Sequence, residues 1–137
     1  MKKILLLLVF TGILNSMNIV VAQTKNIQET EKLLCGTKWI LIEEIEAGKK
    51  TEAYLKGLIY TFRADHTGSI LYPEKMQARA KELNMQMEFN WDITSSNLTL
   101  KNKKEKIKYT YNIKDDNGIK LFMTDDEGTF VYKQIEE

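Results

Sequence analysis

Nine residues constrain this chain's fold more than any others: Met85-Gln86-Met87-Glu88-Phe89-Asn90-Trp91-Asp92-Ile93. Every odd position is large and apolar and every even position is polar. Successive side chains of a β-strand point to opposite faces, so a period of two marks a strand with one dry and one wet face. Parallel strands are buried on both faces and read as continuous apolar runs, so this alternation implies an antiparallel sheet covering a single core.

The same pattern recurs downstream. Ile107, Tyr109, Tyr111 and Ile113 alternate with Lys106, Lys108, Thr110 and Asn112. Asn117-Gly118 then supplies a strong hairpin signal, and Ile119, Leu121 and Met123 share a face beyond it. Further strands are expected over Thr37 to Ile45, about Gly57 to Arg63, Ser69 to Tyr72, Leu98 to Lys101 and Thr129 to Gln134. In the first of these Ile40 and Ile42 spoil the alternation. Glu74 to Asn84 lacks β-branched residues, and Met76, Ala80 and Leu83 fall at helical spacing, which predicts a short helix between strands three and four. A helical turn is expected before Gly36. Eight short strands joined by tight turns and no long crossover predict an all-β, antiparallel up-and-down barrel, closed by pairing the last strand with the first.

Topology then sorts the loops. In a meander, alternate connections share a rim. The 46–56 loop, the helix, the lysine-rich hairpin at 102–104 and the acidic turn Asp125-Asp126-Glu127-Gly128 fall together at one end. The tight turns at 64–68, 94–97 and 115–118 fall at the other.

In this arrangement the chain resembles a small secreted bacterial lipocalin-like domain. The resemblance is carried by Gly36-Thr37-Lys38-Trp39-Ile40-Leu41, by Tyr60-Thr61-Phe62-Arg63-Ala64-Asp65-His66-Thr67-Gly68, by Phe89 to Ile93 with Leu98-Thr99-Leu100, and by the final hairpin from Tyr111 to Met123 with the strand through Tyr132. It covers nearly all of the chain after residue 22. Gly36 and Trp39 are one residue further apart than in the lipocalin Gly-x-Trp signature. The resemblance implies that Trp39 packs across the closed end and that the first set of loops surrounds an open mouth. It also implies a small hydrophobic or amphipathic molecule as the partner, bound at that mouth. The candidate binding residues are Tyr60, Phe62, Met76, Leu83, Met85, Met87, Phe89, Tyr109 and Tyr111. Met76, Ala80 and Leu83 would form a lid beside Met85 and Met87; methionine suits adaptable apolar contacts.

The N-terminus directs the chain outward. Met1-Lys2-Lys3, an apolar run from Ile4, and Val20-Val21-Ala22 before Gln23 have the layout of a secretory signal peptide, residues 1–22. Thr11, Gly12, Asn15, Ser16 and Asn18 interrupt the run too often for a membrane span. Cleavage leaves a barrel domain of 23–137, about 115 residues, enough for one small core. The expected location is periplasmic or secreted, without stable membrane insertion. Losing Lys2 and Lys3 takes the formal charge from +1 to about −1, so nothing favours nucleic acid.

No residue set predicts catalysis. Cys35 is the sole cysteine and reads as a small buried hydrophobe. His66 sits in a polar turn and reads as solvated. No His/Cys/Asp/Glu spacing predicts a metal, and no glycine-rich loop predicts a phosphate cofactor. The lysines from Lys101 to Lys108 read as a solvated edge. The expectation is a protein that is not an enzyme and has no cofactor. The competing expectation is a filled barrel acting through its surface as an envelope-associated interaction module. Nine large rings are candidates for the interior: Trp39, Tyr60, Phe62, Phe89, Trp91, Tyr109, Tyr111, Phe130 and Tyr132. An eight-stranded barrel is just wide enough for side chains to fill it or for one small ligand.

Overall fold

A computed structural model describes residues 27–85 and 87–135; the expected signal peptide lies outside them. The strands are β1 (Lys38–Glu46), β2 (Lys49–Thr51), β3 (Ile59–Phe62), β4 (Thr67–Leu71), β5 (Glu88–Ile93), β6 (Asn97–Lys101), β7 (Lys106–Asp115), β8 (Ile119–Thr124) and β9 (Thr129–Ile135). Two short helices accompany them: α1 over residues 27–36, and α2 (Glu74–Glu82) between β4 and β5. All pairings are antiparallel and run in chain order from β3 to β9. β1 pairs with β3 on one side and β9 on the other, which closes an eight-stranded up-and-down barrel, an architecture compatible with a lipocalin-like fold. The ninth strand, β2, is absent from the sequence expectation. It is a three-residue hairpin return that extends the edge of β1 beyond β3. Its residues Lys49, Lys50 and Thr51 are all exposed, so no burial period marks it.

The alternations map onto burial as expected. In β5, Phe89, Trp91 and Ile93 are buried while Glu88, Asn90 and Asp92 are exposed. The strand nevertheless begins at Glu88, three residues later than the sequence reading. The helix explains this. Asn84 adopts a left-handed conformation at φ 52°, the Met85 amide donates to the Ala80 carbonyl at 2.8 Å, and the Asn84 amide donates to that of Lys81 at 3.2 Å. These two bonds are a Schellman stop, which satisfies the carbonyls at the helix end and commits Met85 to the helix. Leu83 becomes the cap residue and is exposed, while Ala80 is fully buried.

The interior is packed with rings. Phe62, Phe89 and Trp91 meet edge to face, with centroids 5.5 Å apart for Phe62–Phe89 and 5.6 Å for Phe62–Trp91. Such tilted pairs favour the rings' quadrupoles beyond simple burial. Gly68 of β4 makes room for them: a Cβ there would lie 2.3 Å from the Phe89 ring and 2.7 Å from the Thr61 carbonyl oxygen. At one end α1 seals the barrel with Leu34, fully buried against Trp39. The Trp39 indole donates to the Leu34 carbonyl at 3.2 Å. The Trp91 indole donates to the carbonyls of Arg63 at 3.1 Å and Thr67 at 3.0 Å. His66, at φ 66°, stacks on the Trp91 ring with centroids 4.4 Å apart, between Glu31 and Asp92. This histidine is half-buried, where the sequence suggested a solvated turn. Cys35 is half-buried beside the core, and burial, then Glu31 and Asp65, push its thiol up from the ordinary value.

Candidate functional site

The opposite end is built differently. After β2 the chain folds back over the rim. Ala53 and Leu58 are buried, and the Leu41 and Gly57 amides donate to the Leu58 and Leu41 carbonyls at 2.8 and 2.9 Å. Between this segment, the β8–β9 turn and the ends of β1, β7 and β9 lies a cavity of about 300 Å³. That is the lower end of the range typical of small-molecule sites. Leu41, Leu55, Leu58 and Phe130 give it apolar walls, Tyr54 stands at its edge, and Glu44 and Glu127 contribute carboxylates. Tyr60, Tyr109 and Tyr132 form its floor.

These three tyrosines are buried, with 8, 7 and 4 % of their surface exposed. Buried hydroxyls are costly unless hydrogen-bonded. Tyr60 and Tyr132 stand 5.1 Å apart by ring centroid, and their hydroxyls share a hydrogen bond. The Tyr109 hydroxyl makes no hydrogen bond among the described residues and is reached from the cavity; the buried side-chain oxygen left without a partner there is Thr37 Oγ1, just ahead of β1. Burial pushes the Tyr60 phenol up to about 12, partly offset by the bond to Tyr132. Burial, then the neighbouring tyrosine hydroxyls and Asp125, raise Tyr109 and Tyr132 further. All three therefore stay protonated at neutral pH and can donate as well as accept.

The carboxylate of Glu44 reaches this site through a break in β1. Trp39 and Leu41 point inward, and Leu41 lies opposite Tyr132. The register then shifts, so that Glu43 pairs with Val131 and Glu44 with Phe130. Ile42 is the extra residue of a β-bulge, which reverses the faces of everything after it. Glu44 consequently shares the inner face with Phe130 and Tyr132. Glu43 turns outward and meets Lys50 at 3.7 Å. The imperfect alternation at Ile40 and Ile42 is the trace of this bulge in the sequence.

The nine candidate residues do not form one group. Tyr60 and Tyr109 line the cavity. Phe62 and Phe89 lie beneath it, the Phe89 ring 5.6 Å from that of Tyr60. Met76 and Met85 pack against the core from the side of α2. Leu83 and Met87 are 56 and 44 % exposed. Tyr111 belongs to the sealed end, where its hydroxyl donates to the Thr94 carbonyl at 2.8 Å. Sequence reasoning missed Leu41, Glu44, Tyr54, Leu55, Leu58 and Glu127 as site residues, and placed Phe130 and Tyr132 only among the inward rings. Three larger hollows, of about 560, 550 and 530 Å³, lie elsewhere; all are open grooves whose linings include exposed lysines. Among the described residues no group of three or more His, Cys, Asp or Glu side chains converges on a point that could hold a metal, and no helix is long and apolar enough to cross a membrane. No protein-family model, curated protein or solved structure matches the chain.

Proposed function

We propose that this chain is an exported, non-catalytic lipocalin-like module that holds a small amphipathic molecule at the barrel mouth. One observation carries the reading: a cavity of about 300 Å³ with apolar walls, whose tyrosine floor offers it the Tyr109 hydroxyl, without a hydrogen-bond partner among the described residues. A ligand oxygen or nitrogen would complete that hydroxyl, and the apolar walls would take the ligand's body. The ring stack beneath limits the ligand to something short. Export rests on the layout of residues 1–22 and is checked by an intact mass beginning at Gln23. For binding, native mass spectrometry of protein purified from its source is expected to show a non-covalent small molecule. Titration with the neutral fluorophore 1-aminoanthracene is expected to saturate at one site. A bare chain mass together with non-saturable fluorescence would overturn the reading.

A second reading has its own support. Leu71, Leu83 and Met87, at 54, 56 and 44 % exposure, cluster in sequence at the two ends of α2. With the lower barrel filled, they suit a surface-acting interaction module. That reading expects the bare mass and a partner protein retained through native purification.

A further inference from the structure

We propose that the molecule taken at the mouth carries a positive charge, an organic ammonium on a short apolar body, with Glu44 as its counter-ion. This rests on the mouth being a ligand site and adds the chemical class of what it takes.

The first ground is the bulge. Without it, Glu43 would face inward; with it, Glu43 is outside and held by Lys50 at 3.7 Å. The acid turned inward is Glu44, which has no cationic partner among the described residues. Of the other lysines in the neighbouring segment, Lys56 is held by Glu52 at 3.6 Å and Lys49 lies opposite Glu46 in the β1–β2 register. The mouth's inward acid is thus left to an external cation.

The second ground is the lining itself. Glu44 and Glu127 supply two carboxylates, and no lysine, arginine or histidine joins them. The chain carries 20 lysines and arginines in 137 residues, so cations are plentiful elsewhere and are simply not placed here. An anionic head group would meet two like charges at the entrance, a destabilising arrangement in a partly desolvated site.

The third ground is aromatic. Tyr54, Tyr60, Tyr109, Phe130 and Tyr132 surround the same space. The faces of such rings attract ammonium groups, most strongly where water is excluded. Asp125 and Glu127 add to the negative field at Tyr109, whose phenol they push up after burial and Tyr60 have done so. Rings and carboxylates together select a cation, whereas rings alone would accept any apolar body.

Isothermal titration of the chain with three matched probes tests this: octyltrimethylammonium, octanol and octanoate. The ammonium is expected to bind at least tenfold more tightly than octanoate and more tightly than octanol. Glu44→Gln should weaken it about tenfold and leave octanol unchanged. Glu127→Gln, on an exposed turn, should weaken it by a smaller factor and carries the test if Glu44→Gln fails to fold. Octanoate or octanol binding as tightly as the ammonium, or both glutamine variants binding it unchanged, would overturn the charge assignment while leaving the mouth as a ligand site. If none of the three probes saturates, the site and the inference fall together.

Discussion

The two ends of this barrel are made from similar materials and come out differently. At the sealed end, Trp39 and Trp91 are buried and both indole donors are satisfied by backbone carbonyls, Trp91 by two of them. The Tyr111 hydroxyl has Thr94, and α1 supplies the lid. At the mouth, three tyrosines are almost as deeply buried as the tryptophans, yet they border a cavity, and an inward carboxylate has no cationic partner among the described residues. Both ends leave a polar atom unpaired, but at the sealed end it is Thr37 Oγ1, closed in by packing. At the mouth the Tyr109 hydroxyl lies beside open space, the arrangement that a ligand can finish.

The largest expected effect tests the sealed end. Trp91→Ala removes a ring that packs on Phe62 and His66 and takes one of two donors from each of the carbonyls of Arg63 and Thr67, which keep the amides of His66 and Arg63. Loss of a buried tryptophan side chain costs about 3–5 kcal/mol, read as a fall in the urea midpoint. Tyr54→Ala at the mouth, where the side chain is 81 % exposed, should move stability by no more than about 0.5 kcal/mol. Equal losses at the two positions would break the comparison.

The sealed end was also the more legible in sequence. Phe89, Trp91 and Ile93 announce their own inner face, because a period of two is a local property of a strand. Asn117-Gly118 announces its hairpin, with φ of 53° and 107° at the two residues. The mouth depends on non-local facts. Which of Glu43 and Glu44 faces inward is decided by a bulge against β9, at the far end of the chain. Alternation also gives a side chain's face but not its height: Tyr109 and Tyr111 share a face of β7, and only the register with β6 and β8 puts one at the mouth and the other at the sealed end. Leu83 had the right helical spacing for a lid, but the Schellman stop at Asn84 made it a cap. Asn84 was visible in the sequence as a residue suited to that conformation.

Alkaline pH should sharpen the contrast at intermediate cost. Tyr60 rises to about 12 in the folded chain from an ordinary value of 10, and Tyr109 and Tyr132 also rise. The unfolded chain therefore loses these protons first. Stability is fully present below pH 10 and is lost as pH climbs through the window up to the folded values. The slope is about 1.4 kcal/mol per pH unit for each tyrosine kept protonated by folding. Urea midpoints between pH 9 and 11.5 measure it, and absorbance at 295 nm reports the ionisation. A flat profile above pH 10 would mean that the floor of the mouth is open to water.

The smallest effect on stability is the most discriminating. Tyr109→Phe deletes a hydroxyl that borders the cavity and has no hydrogen-bond partner among the described residues. Removing a satisfied hydroxyl costs about 0.5–1.5 kcal/mol, whereas removing an unsatisfied one is close to neutral or mildly stabilising. The variant should therefore unfold within about 0.5 kcal/mol of the wild type, or later. Tyr111→Phe, which removes the donor to the Thr94 carbonyl, should unfold earlier by about 1 kcal/mol. The two residues share a strand, a face and a chemical change; they differ in depth, Tyr109 being buried and Tyr111 half-buried, and in whether the hydroxyl has a protein partner. If Tyr109→Phe costs as much as Tyr111→Phe, the mouth hydroxyl is already part of the packing and the polar basis for a ligand there disappears.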